Sequence, residues 1–297
     1  MKLRFWGVRG SRPTSKSKLL GYGGHTTSME FVFEDEDFHI FLDGGSGLSR
    51  CCEVKCDIDR SNIYFLITHT HWDHILGFPY FEPFRNPKIQ FTFFSSTTSK
   101  ATFSDLFFTL NSAVHLPLPP FLMRAKIRFV PVTGGATFDI EDRVQVRTHQ
   151  INHQNITLGY RLEYKGNSVA VITDNAPIDN GNYLGEGMKE KAAKNPKKFE
   201  EDFNAGLTDF LRGVHTAVFD THFTEKTLIA DWGHSTPERA LEFCKKAQVK
   251  RLILHHHAPE DNDPDVDQKV LGIKDDARKH GIEVVAAKEG DEWKLSG

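Results

Sequence analysis

Short apolar runs recur along the chain, each closed by a cluster of polar residues, and their lengths suit strands better than helices. Leu3–Val8 reads as a first strand, Met29–Phe33 and His39–Leu42 as a hairpin, and Asn62–Ile67 as a buried strand. Further strands are expected at Gln145–Thr148, Leu158–Tyr164, Ser168–Thr173, Thr216–Phe219, Arg251–His255 and Ile282–Ala286. Helical spacing is clearest over Pro237–Ala247, where Leu241, Cys244 and Ala247 share a face. Thr236 can cap that helix, and Pro237 suits its first position. A second helical stretch, Met188 to Arg212, carries lysines around Lys189–Lys198 and is broken by Pro196. Many strands with a few helices between them predict a mixed α/β chain. No repeat or low-complexity linker divides the 297 residues, which predicts one domain over 1–297 with a helical insertion at about 183–212.

Composition changes this picture little. With 39% hydrophobic and 26% charged residues the chain has ample material for a core, and a net charge of −3 without a basic stripe argues against a nucleic-acid coat. The lysines of 189–198 therefore read as a solvated face. No apolar run approaches the length of a membrane span, and the first residues lack a signal-peptide core, so the cytoplasm is the expected compartment and no membrane partner is expected. Of four cysteines, Cys51, Cys52 and Cys56 crowd one loop and Cys244 stands apart. That arrangement suits reduced thiols better than a disulfide scaffold or a zinc knuckle.

The chemistry concentrates in Thr68-His69-Thr70-His71-Trp72-Asp73-His74, directly after the buried strand Asn62–Ile67. Imidazole and carboxylate are the ligands that zinc and its neighbours take. On an extended turn His69 and His71 can hold one ion, while Asp73 and His74, at the start of a helix, can reach a second. Further donors sit where strands end: His153 between two strands, Asp174 after Ser168–Thr173, and His256 after Arg251–His255. A carboxylate such as Asp174 can bridge two metals. Two positions leave alternatives: His149 lies four residues before His153, and His255 and His257 flank His256.

These segments, with Phe5-Trp6-Gly7-Val8-Arg9-Gly10-Ser11, Tyr22-Gly23-Gly24, Leu42-Asp43-Gly44-Gly45-Ser46-Gly47, Gly159-Tyr160-Arg161 and Trp232-Gly233-His234-Ser235-Thr236, resemble the metallo-β-lactamase superfamily. The similarity is to its phosphodiesterase-like branch, near tRNase Z and the phosphoribosyl cyclic phosphodiesterases. It implies an αββα four-layer sandwich, two mixed β-sheets flanked by helices. By the same resemblance His69, His71 and His153 hold one ion, Asp73, His74 and His256 the other, and Asp174 bridges both. Asp73 also counts among the catalytic residues. Asp220 and His234 match the family's paired acid and imidazole, the latter placed to protonate a leaving alkoxide. His25 and His222 depart from the uncharged side chains more usual there.

The resulting expectation is a dinuclear metal-dependent hydrolase acting on a small cyclic or nucleotide-like phosphodiester. Zinc is the default metal, with manganese and iron suited to similar ligands. The expected partner is that small substrate, with no stable nucleic-acid complex and with a homodimer as the expected assembly. Three rivals stand beside this reading: a lactone or thioester hydrolase, a tRNA 3′-processing endonuclease, and a non-enzymatic diiron sensor. The Asp220–His234 pair favours the phosphodiester over the lactone or thioester, and the absence of a long Gly/Pro-containing arm disfavours tRNA. Arg9, Ser11 and Arg161 are further polar candidates for a phosphate, and His39, His115, His215 and His280 read as ordinary histidines.

Overall fold

In the computed structural model, residues 1–16, 21–53, 62–96, 102–112, 123–178 and 184–295 are described, so Cys56 and His115 lie outside the described residues. Contacts divide the chain into two units, Met1–Val132 with Lys288–Lys294, and Thr133–Ala287 with Leu295–Gly297.

The first unit is built on β1 (Lys2–Gly7), β2 (Ser28–Val32), β3 (Phe38–Leu42), β4 (Asn62–Ile67), β5 (Gln90–Ser95) and β6 (Lys126–Pro131). A late strand, β14 (Glu292–Lys294), joins on the free side of β1, giving the order β14-β1-β2-β3-β4-β5-β6. From β14 to β3 the pairing is antiparallel; from β3 to β6 it is parallel. Parallel neighbours need crossovers. Here they contain α1 (Gly47–Glu53), the short α2 (Trp72–Ile75) and α3 (Phe103–Leu110). Phenylalanines fill the core of this unit: Phe65 of β4 stacks on Phe93 at 5.0 Å and meets Phe78 edge-on at 5.1 Å. These contacts fix the strand that delivers His69.

The second unit carries β7 (Thr137–Ile140), β8 (Val144–Ile151), β9 (Thr157–Tyr164), β10 (Asn167–Ile172), β11 (Thr216–Asp220), β12 (Arg251–His255) and β13 (Glu283–Ala286), ordered β13-β12-β11-β10-β9-β8-β7. Its β7–β10 part is antiparallel and its β10–β13 part parallel. Its helices are α4 (Lys189–Lys194), α5 (Pro196–Leu211), α6 (Pro237–Ala247) and α7 (Asp263–Lys279). Leu207, Phe210 and Leu211 of α5, Leu241, Cys244 and Ala247 of α6, and Ile273 and Ala277 of α7 share one core with the strands. The expected helical insertion is thus a packed part of this unit, and Pro196 opens α5 as its first residue, with Asn195 accepting from Lys198 N–H as the cap.

The two expected mixed sheets with helices are present, with strand boundaries within a few residues of those read from the apolar runs. β2 and β3 pair antiparallel as expected of a hairpin. Thr236 caps α6 by accepting from Arg239 N–H at 3.3 Å. One expectation needs correcting: Cys51 is disulfide-bonded rather than reduced, while Cys52 and Cys244 are free. Among the described residues no helix is long and apolar enough to cross a membrane.

Candidate active site

In both units the chemistry stands at the carboxyl ends of parallel strands, where α/β sheets bind their ligands. In the first unit β4 ends at Ile67, and Thr68 to His71 lead into α2, which begins with Trp72, Asp73 and His74. The rings of His69 and His71 lie 4.5 Å apart, and those of His69 and His74 4.1 Å apart. Nε2 of His74 is 3.3 Å from Asp73 Oδ2, which also accepts from the Ser11 N–H at 2.8 Å. Asp43, at the end of β3, organises this group. Its Oδ2 accepts from His74 Nδ1 at 2.7 Å and from the Thr68 hydroxyl at 2.7 Å, and its Oδ1 accepts from Thr68 N–H at 2.8 Å. The sequence shows Asp43 only as part of Leu42-Asp43-Gly44-Gly45, without the orienting role that the structure gives it.

In the second unit Asp174 follows β10, Asp220 closes β11, and His256 follows β12. Asp174 stands between two imidazoles, with Oδ2 3.6 Å from His153 Nε2 and Oδ1 3.1 Å from His256 Nε2. Asp43, Asp174 and His256 all have left-handed backbones, with φ of 55°, 44° and 59°. Non-glycine residues rarely adopt that conformation, and when they do it is often at functional sites. Gly233, at φ 90°, has a different reason to be glycine: a Cβ there would lie 2.5 Å from His153 Nδ1. Its carbonyl accepts from that same Nδ1 at 2.9 Å, which leaves the Nε2 lone pair directed at Asp174.

Asp220 is a buried hub. Its Oδ2 accepts from His234 Nδ1 at 3.1 Å, from Asn175 N–H at 3.1 Å and from Ser235 N–H at 3.2 Å, while Oδ1 accepts from His222 N–H at 3.0 Å. Burial works to raise its carboxyl, but the charge and hydrogen bond of His234, together with His256, hold it below the usual carboxylate range. Lys269 of α7, itself buried, donates to the carbonyls of Thr221 and His222 at 2.7 and 2.6 Å and to Asp261 at 2.6 Å. It clamps the segment that follows Asp220. A lysine on a charged helix gives no sequence signal of that role.

The alternatives left open by the sequence separate in space. His149 stacks on Phe210 of α5 at 5.2 Å, and burial pushes its imidazole down to about 4. Nε2 of His257 is hydrogen-bonded to Ala287 O at 3.0 Å, whereas His256 faces Asp174. Arg161 donates to the carbonyls of Phe210 and Arg212 and ties β9 to the end of α5. Arg9 is fully buried, with Nε donating to Gly23 O at 2.8 Å. His25 lies 3.3 Å from the Ser46 hydroxyl. His222 is buried against His234, their rings stacked at 4.5 Å, and burial drives its imidazole down to about 2.

The donor chemistry fits divalent cations. Where Nδ1 of His74 and of His153 gives its proton to an acceptor, Nε2 keeps a lone pair beside a carboxylate oxygen, of Asp73 in one unit and of Asp174 in the other. Two acceptors facing each other in a buried place repel unless a cation lies between them.

Known proteins share this architecture. A family model described as a β-lactamase superfamily domain matches residues 62–192. Human tRNase Z, short form, superposes with a TM-score of 0.68 at 15% identity, covering all of both chains. A diphosphatase of the PhnP family superposes with a TM-score of 0.61 at 14% identity, over 99% of this chain and 98% of that one. Over residues 62–192 the chain is thus similar to the metallo-β-lactamase superfamily, a class of metal-dependent hydrolases. Within that class its sequence is similar to ribonuclease Z of Thermoplasma acidophilum, at 24% identity over 99% of this chain and 96% of the relative.

Proposed function

We propose that the chain is a phosphodiesterase acting on a small cyclic or nucleotide-like phosphodiester, with two divalent ions, zinc by default. The observation that carries the reading is the Asp220–His234 hydrogen bond at 3.1 Å, beside an Asp174 carboxylate flanked by two imidazoles. On the superfamily's pattern, His69, His71 and His153 would hold one ion and Asp73, His74 and His256 the other, with Asp174 serving both. These donors come from both units, and the similarity to the superfamily is what supports assigning them to one site.

When bound, such ions neutralise phosphoryl oxygens and lower the pKa of a water. The chain's own residues do the rest. Asp43 and the Gly233 carbonyl fix the tautomers of His74 and His153 by accepting hydrogen bonds from their Nδ1–H groups. Asp220 accepts a hydrogen bond from His234 Nδ1, so that Nε2 is the atom left to pass a proton to the departing oxygen.

The relatives named as ribonuclease Z favour a second reading, tRNA 3′ processing. Against it, α5, between β10 and β11, is packed into the core through Leu207, Phe210 and Leu211. The test is to offer metal-reconstituted protein a cyclic nucleotide, a precursor tRNA and a lactone or thioester. Turnover of the cyclic nucleotide is expected to dominate. Preferred cleavage of the tRNA gives the function to the second reading, and ester cleavage without phosphodiester cleavage removes the proposal.

A further inference from the structure

His222, His234 and His256 bring three ring nitrogens within 4.8 Å of one another, all inside the second unit. The three side chains are buried. His256 belongs to the proposed metal pair and His234 to the proposed proton donor, but His222 has no part in either. Its Nδ1 is buried without a hydrogen-bond partner among the described residues. The position is not accidental in its geometry. The His222 N–H is held by Asp220, its carbonyl by Lys269, and its ring is stacked on His234 with an interplanar angle of 19°.

We propose that His222, with His234 and His256, forms a third divalent-cation site that inhibits the enzyme when filled. Three imidazoles are a donor set suited to zinc, cobalt or another borderline ion. Ligand nitrogens about 2.0–2.1 Å from zinc stand roughly 3.4 Å from each other, so nitrogens now within 4.8 Å must close in by up to about 1.4 Å. The site is therefore weaker than one already formed. Its occupation ties up His234, the group that the phosphodiesterase reading uses for proton delivery, and makes His256 a shared ligand. The inhibitory consequence rests on that reading; the binding site itself does not.

Equilibrium dialysis of the full chain against zinc, read by elemental analysis, is the first measurement. Wild type is expected to bind one more ion than H222Q at zinc concentrations well above those that fill the first sites, and equal stoichiometry overturns the proposal. The variant H71A/H74A/D174N removes donors of the proposed pair and leaves all three of these histidines. It is expected to bind one cobalt ion with visible absorption bands that vanish when H222Q is added. A triple variant that binds no cobalt also overturns the site, whether or not H222Q folds. If wild type lacks the metal pair yet keeps the ion that depends on His222, the phosphodiesterase reading fails and this site stands. Excess zinc should slow the wild type at least tenfold and H222Q far less. Inhibition equal in both overturns the regulatory role.

Discussion

At the scale of single residues, the role of His234 has a kinetic signature. An alkoxide leaving group needs a proton in the transition state and a nitrophenolate does not. His234→Ala is expected to slow a ribose-type phosphodiester by about a hundred- to ten-thousandfold while barely slowing bis-nitrophenyl phosphate. Asp220→Asn should give a smaller loss of the same selective kind, because Asp220 orients the imidazole. Equal damage to both substrates means that His234 binds phosphate or supports the fold. His149 makes a different prediction. Its folded-state pKa of about 4 lies below the 6.5 of a free imidazole. Between those values the unfolded chain binds a proton that the folded chain refuses, so stability is full above pH 6.5 and falls as the pH drops towards 4. By pH 5 the loss amounts to about 2 kcal/mol. His149→Phe should show that much less change in unfolding free energy between pH 7 and pH 5, measured by urea melts under identical chelator. The same variant should keep its metal, and His153→Ala should lose it.

At the scale of elements, α7 matters more than its composition suggests. Lys269 is its one buried lysine and reaches the carbonyls after β11. Lys269→Met is expected to cost about 3–5 kcal/mol in chemical denaturation, since Asp261 and two carbonyls lose a charged partner. A change below about 1 kcal/mol would mean that water replaces the lysine without loss. The same helix shows where the hydrophobic pattern stops being informative. Its 17 residues bury only Val266, Lys269, Ile273 and Ala277 on a largely charged background, so its apolar stripe is too thin to read. The edge strands β6 and β14 contain no fully buried residue, and their pattern is equally weak. β4 and β12 are different, because continuous buried runs end directly in His69 and His256. Donors that follow such a strand are legible from spacing alone. Asp43 and Lys269 are not, since their roles arise from partners 31 and 47 residues away.

At the scale of the whole molecule, the donor inventory exceeds what one ion can use. Protein reconstituted with zinc is expected to hold two tightly bound ions per chain by elemental analysis, and chelation should lower its melting temperature by mass action. A content that stays below one ion rules the pair out. Asp174→Ala should lower occupancy of both ions together, because its two oxygens face two different imidazoles. The sheet order has a consequence for how the chain is made. β14 pairs with β1, so the strand completing the first sheet leaves the ribosome only after the whole of Thr133–Ala287. Until then β1 presents an unpaired edge, and Lys2 and Arg4 wait for the Glu292 carboxylate that both will bind. The two charges in that edge strand make it a poor template for another nascent chain on a crowded polysome. They guard β1 during synthesis and then become its last ion pairs.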